Sequence, residues 1–108
     1  MITITLYKRS GKYLRATSEG HADFSEEGTD IVCAGVSTLM YSVAETLMEE
    51  YQVPIAIEDG FMDIDVSKHD APEIQTIMKV LEYGVKGVER QYPTYVKLQS
   101  KEDRHVTI

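Results

Sequence analysis

The stretch "GHADFSEEGTDIVCAGVS", Gly20 to Ser37, gathers the residue types that nucleophilic chemistry needs. Cys33 is the only cysteine of the chain and His21 one of its three histidines. A free thiol has a pKa of about 8.5, so only a few per cent is thiolate at neutral pH, and the thiolate is the form that attacks carbonyls. The amides and positive dipole at the start of a helix lower that value, as does a neighbouring imidazolium. His21 lies twelve residues before Cys33, across a strand end, a loop and a helix start that can fold back into contact. Asp30, three residues before Cys33, shares its helix face if both are helical, and could orient His21 as the third member of a triad. It could equally cap the helix, and a carboxylate close to sulfur would raise the thiol pKa. Ser37, one turn on, either lines the pocket or packs helix against helix. Gly20 and Gly28 permit backbone turns on either side of a loop that could act as a lid.

Residue type alone leaves a second reading open, in which Cys33 is a small buried hydrophobe. A zinc site would need His21, Cys33 and carboxylates, and neither CxxC nor HxxxH spacing is present. No metal or other cofactor is therefore expected. His69 beside Lys68 and Asp70, and His105 in the charged tail, have surface-like settings and receive no role.

These residues must be positioned by regular elements, and the sequence predicts most of them. "ITITLY" alternates, with Ile2, Ile4 and Leu6 on one face of a strand. "KRSGK" supplies a turn and "YLRATSEG" a second strand paired back on the first, which puts His21 at its end. "ADFSEEG" reads as a polar surface loop. From Asp30 to Tyr51, Val32, Val36, Leu39, Val43 and Leu47 recur at helical steps, with Thr29 or Asp30 as N-cap. Cys33 then falls in the first turn or just after it. "VPIAIEDGFMDIDV" is two strands about Asp59-Gly60, a pair suited to a type I′ turn. Asp70 and Glu73 form a capping-box variant, with Pro72 early in a helix that buries Ile74, Ile77, Met78, Leu81, Val85 and Val88. Pro93 stops it, and "TYVKLQ" is a last strand. The methionines are read as core filling.

The order ββαββαβ predicts an α/β protein of α+β type: a small antiparallel or mixed sheet with two helices packed on it. At 108 residues the chain, 1–108, suits one domain. Hydrophobic content of 43% and charged content of 27% fit a globular protein rather than a disordered one. No run approaching the ~20 apolar residues of a membrane span is expected, nor a signal peptide, so a soluble cytoplasmic protein is the simplest expectation. A lone cysteine fits a reducing compartment. The net charge of −7 argues against nucleic acid as primary ligand and favours a basic partner. Exposed sheet edges make dimerisation an ordinary expectation.

"GHA", a short loop and "GTDIVCAGVS" resemble the bacterial ribosomal-processing cysteine protease family, Prp. The pattern Gly-His-Ala, loop, Gly-x-Asp-(Ile/Val)-Val-Cys-Ala-Ala-Val-Ser falls on Gly20, His21, Ala22, Gly28, Asp30, Ile31, Val32, Cys33, Ala34, Val36 and Ser37. Gly35 stands where the pattern has alanine. The resemblance implies an α/β homodimer and a Cys/His endopeptidase. Its implied task is to remove the N-terminal extension of large-subunit ribosomal protein number twenty-seven, cutting after an aromatic-rich segment. Cys33 would be the nucleophile and His21 the base and later acid, with Asp30 and Ser37 at motif positions of less certain role. Helix-start amides, with that of Cys33 as a candidate, would hold the oxyanion. Two other readings remain: a non-enzymatic acidic dimeric module that docks on ribosomal proteins or assembly factors, and a thiol sensor oxidised at Cys33.

Overall fold

The alternation that opens the chain becomes the centre of a sheet. In the computed structural model, residues 1–20 and 29–102 are described, Thr29 and Asp30 through their backbone alone. They form β1 (Ile2–Arg9), β2 (Lys12–Glu19), α1 (Thr29–Tyr51), β3 (Ile55–Glu58), β4 (Phe61–Asp65), α2 (Pro72–Gln91) and β5 (Val96–Glu102). The sheet runs β3-β4-β2-β1-β5, with β1 and β5 parallel and the other neighbours antiparallel. It is the mixed sheet of an α+β fold. Both crossovers carry a helix, as parallel strands require.

Ile2, Ile4 and Leu6 lie on the face that packs with the helices, and Ile4, Leu6, Ala16 and Ile64 are fully buried there. From α1 come Val32, Val36, Val43 and Leu47, joined by Met40 and Ala44; from α2 come Ile74, Met78, Leu81 and Val85. Leu39, Ile77 and Val88 are half-buried at the margin of this core. Residues Ile31–Tyr51 are long and apolar enough to cross a membrane, against the expectation of no such run. One stripe of that helix is the floor of the core, while Ile31, Tyr41 and Met48 of the same span are exposed.

The first hairpin turns on Ser10 and Gly11, both left-handed at φ 51° and 80°, the primed geometry that matches strand twist. The second does not have the expected type I′ turn, because only Gly60, at φ 70°, is left-handed. That turn is held from outside: the Gly20 amide donates to the Gly60 carbonyl at 2.9 Å. The capping box expected at Asp70 and Glu73 is also absent. Proline disfavours helical backbone in the residue before it, so Ala71 (ψ 126°) becomes the N-cap with Pro72 first in α2. Asp70 instead pairs with Lys12 at 3.2 Å.

A buried polar pin joins sheet to helix. The Tyr13 hydroxyl donates to the Glu82 carboxylate, and Lys8 Nζ donates to the same group at 3.1 Å. Burial and the Glu82 contact push the Tyr13 hydroxyl well above its ordinary pKa. For Glu82, burial works towards protonation, but the hydrogen bonds from Tyr13 and Lys8 outweigh it and hold the carboxyl below its ordinary value. Glu82 lies on the buried stripe of α2, four residues after Met78, but its charged side chain hid it among the apolar positions read from the sequence.

Candidate active site

Cys33 is the fifth residue of α1 and half-buried. It sits just past the first turn, within the range expected. In an α-helix beginning at Thr29 the Cys33 amide already belongs to the internal ladder, bonding back four residues. It is therefore not a free donor for an oxyanion. The amides of the first turn, those of Thr29, Asp30 and Ile31 among them, have no partner within the helix.

Cys33 lines a cleft of about 160 Å³. Gly20 and Ser37 share the cleft with Cys33, and its apolar wall includes Met40, Phe61 and Met62. The start of β1, the end of β2, the N-terminal half of α1 and the β3–β4 hairpin meet here. Ser37 is exposed, one turn beyond Cys33 on the same helix face. Gly20 has φ 100°, and a Cβ there would stand 2.3 Å from the Met1 carbonyl oxygen. Only glycine fits that backbone and that approach. The chain thus leaves β2 at a fixed point on the cleft wall, pinned by Gly60, and the next residue in sequence is His21.

Of the candidate residues, the structure brings Gly20, Cys33 and Ser37 together. His21 and Gly28 lie outside the described residues, as do the polar loop between them and the side chain of Asp30. His105 does too, whereas His69 is half-buried. The wall of Met40, Tyr41, Glu58, Phe61 and Met62 was not read from sequence as part of a site. Tyr41 continues the Cys33–Ser37 spacing by one more turn, which is the signal that could have found it. The methionines divide: Met40, Met62 and Met78 are buried as expected, whereas Met1 and Met48 are exposed.

The family model for the cysteine protease Prp matches residues 1–97. The chain belongs to the Prp family. The ribosomal processing cysteine protease Prp of Staphylococcus aureus is 26% identical over 106 residues, covering 94% of this chain and all of that one. A crystal structure of the essential ribosomal processing protease Prp from S. aureus in complex with a substrate peptide has TM-score 0.83 at 25% identity, covering 94% of this chain and 100% of that one. SMU.848 from Streptococcus mutans has TM-score 0.82 at 27% identity, covering 95% and 96%. Membership makes the protein a cysteine protease of the ribosomal-processing type. Cys33 is the only cysteine such a Prp chain has to offer.

Proposed function

We propose that this protease uses Cys33 as nucleophile and His21 as general base and then acid. Its substrate is the precursor of large-subunit ribosomal protein number twenty-seven, from which it removes the N-terminal extension. The observation that carries the reading is the shared cleft: Cys33 lines it together with Gly20, the residue that immediately precedes His21. The chain's similarity to a relative solved with a substrate peptide supports a peptide substrate.

His21 takes the thiol proton, and the sulfur attacks the scissile carbonyl to give a tetrahedral oxyanion. In this scheme first-turn amides of α1 hold that charge, and losing one such donor would cost roughly a hundredfold in rate. The imidazolium then protonates the leaving amine as the C–N bond breaks. Water, deprotonated by His21, hydrolyses the thioester and returns the thiol. Asp30 orients the imidazole and Ser37 lines the cleft in this scheme. The enzyme works as a cytoplasmic homodimer, and its charge of −7 suits a basic ribosomal substrate.

The test is cleavage, followed by mass, of a peptide spanning the ribosomal extension, with wild type, Cys33→Ala and His21→Ala. The reading expects cutting by wild type alone. Binding by all three with no cutting would make the protein an acidic docking module. Peroxide-dependent modification of Cys33 without turnover would make it a thiol sensor. Sedimentation of the wild type reads the oligomeric state, and a monomer would remove the dimer.

A further inference from the structure

A second apolar groove, of about 270 Å³, continues from the Cys33 cleft. It is lined by Tyr41, Ala44 and Met48 of α1 and by Ile55 and Ile57 of β3, and Tyr41 is a wall of both spaces. Tyr41, Met48 and Ile57 are all about half exposed, so one strip of apolar surface runs along α1 away from the sulfur. Strand β3 is the edge of the sheet on this side. The Asp65 amide bonds to the Pro54 carbonyl at 3.3 Å, which fixes the phase of the ladder between β3 and β4. In an antiparallel pair, bonded and unbonded residues alternate. Ala56 and Glu58 therefore bond inward to β4, while the backbone groups of Ile55 and Ile57 point away from the sheet. Each space also has one exposed acidic residue on its lining, Glu58 at the Cys33 cleft and Glu45 at the groove.

We propose that this edge and groove form an extended substrate-recognition track. The cleaved peptide adds to β3 as an extra strand, bonding to the outward backbone groups of Ile55 and Ile57. One large apolar side chain enters the Cys33 cleft and a second, further along the peptide, enters the groove of Tyr41, Met48 and Ile57. Lysine or arginine beside these apolar residues meets Glu58 and Glu45. The proposal rests on the endopeptidase reading above and adds where, and by what chemistry, the substrate is recognised. The dimensions agree. Cys33 and Met48 are fifteen residues apart on α1, roughly 22 Å at ~1.5 Å per residue, or about six to seven residues of extended peptide. Adding a strand to a free edge gives affinity through the backbone and selectivity through alternate side-chain pockets.

The test is a panel of decapeptides, unrelated to any ribosomal protein. Each has phenylalanine at the cut, lysine beside it, and leucine, alanine or glutamate at each position two to six residues away. Turnover is followed by mass. Wild type is expected to prefer leucine to alanine at one distal position by about tenfold or more in kcat/KM, the worth of one buried apolar side chain. In Tyr41→Ala and Met48→Ala that ratio falls towards one. Ile57→Pro removes an outward amide without touching the bonds to β4, and lowers kcat/KM on the panel by about tenfold or more. Ile57→Val, which keeps the amide, restores it, and thermal midpoints confirm that all variants fold. Equal rates for leucine and alanine at every distal position in wild type would overturn the track, as would unaltered ratios in both groove variants. A wild-type dimer that Ile57→Pro dissociates would give the edge to a second copy and overturn it as well. Cutting of the panel without cutting of the ribosomal extension would remove only the proposed ribosomal substrate. No cutting of any peptide would remove the endopeptidase reading and this proposal with it.

Discussion

The Gly20 amide donates to the Gly60 carbonyl at 2.9 Å, tying the end of β2 to the turn between β3 and β4. Two turns distant in sequence meet beside Cys33, and the contact closes one wall of the cleft. Gly20→Ala would force a Cβ against the Met1 carbonyl in a left-handed backbone. The expected cost is about 2 kcal/mol or more, read as a fall of roughly ten degrees in thermal midpoint. Cleavage should fall further than stability explains, because the exit of the chain towards His21 would shift. A Gly20→Ala protein with wild-type midpoint and turnover would remove this positioning role.

Cys33→Ala should cut turnover by at least about a thousandfold. The folded protein should persist, because Cys33 is only half-buried in a helix and alanine suits a helix. Circular dichroism with single-turnover cleavage separates the two effects. Turnover retained by Cys33→Ala would mean that the chemistry lies elsewhere.

Gly35 and Gly87 stand inside helices with open space where a Cβ would go. Gly35→Ala and Gly87→Ala should each stabilise the protein by about 0.5–1 kcal/mol, since glycine costs entropy in a helix without any compensating packing here. Gly84 differs, because its Cβ would lie 2.8 Å from Leu39 Cδ2, at the flexible end of a half-buried side chain. Gly84→Ala should gain less than either, and Gly84→Val should destabilise. Denaturant midpoints at constant slope give the ranking.

Glu82 carries a pH signature. Its carboxyl is held below the ordinary value in the folded protein by Tyr13 and Lys8, against the cost of burial. Its stabilisation is therefore complete above the ordinary carboxylate range and is lost as pH falls through the lowered value. Glu82→Gln should be less stable than wild type by about 1–3 kcal/mol at neutral pH, with the gap closing in acid. Parallel curves of stability against pH would show that Glu82 contributes no such linkage.

Much of the architecture was legible because periodicity reports burial directly. The alternation of Ile2, Ile4 and Leu6, the stripe of α1 and the stripe of α2 predicted the elements and most of the core. What failed were local details on which the chain does not decide alone. The Asp59-Gly60 turn answers to Gly20 across the sheet, and the start of α2 answers to Pro72 rather than to the hydrogen-bonding capacity of Asp70. Glu82 was missed because a carboxylate is buried only when partners from other elements, here Tyr13 and Lys8, compensate it.

The sequence by itself determined the element order, the glycine positions, the single sulfur and the family, since these depend on residue type and near-neighbour spacing. Only the tertiary structure decided that β5 joins β1 in parallel, that Phe61 and Met62 line the same cleft as Cys33, and that β3 is an edge of the sheet among the described residues, beside Tyr41. Those outcomes depend on which strands share hydrogen bonds across long stretches of chain. Pairing of that kind is selected by the burial of the whole apolar face rather than by any segment's own pattern.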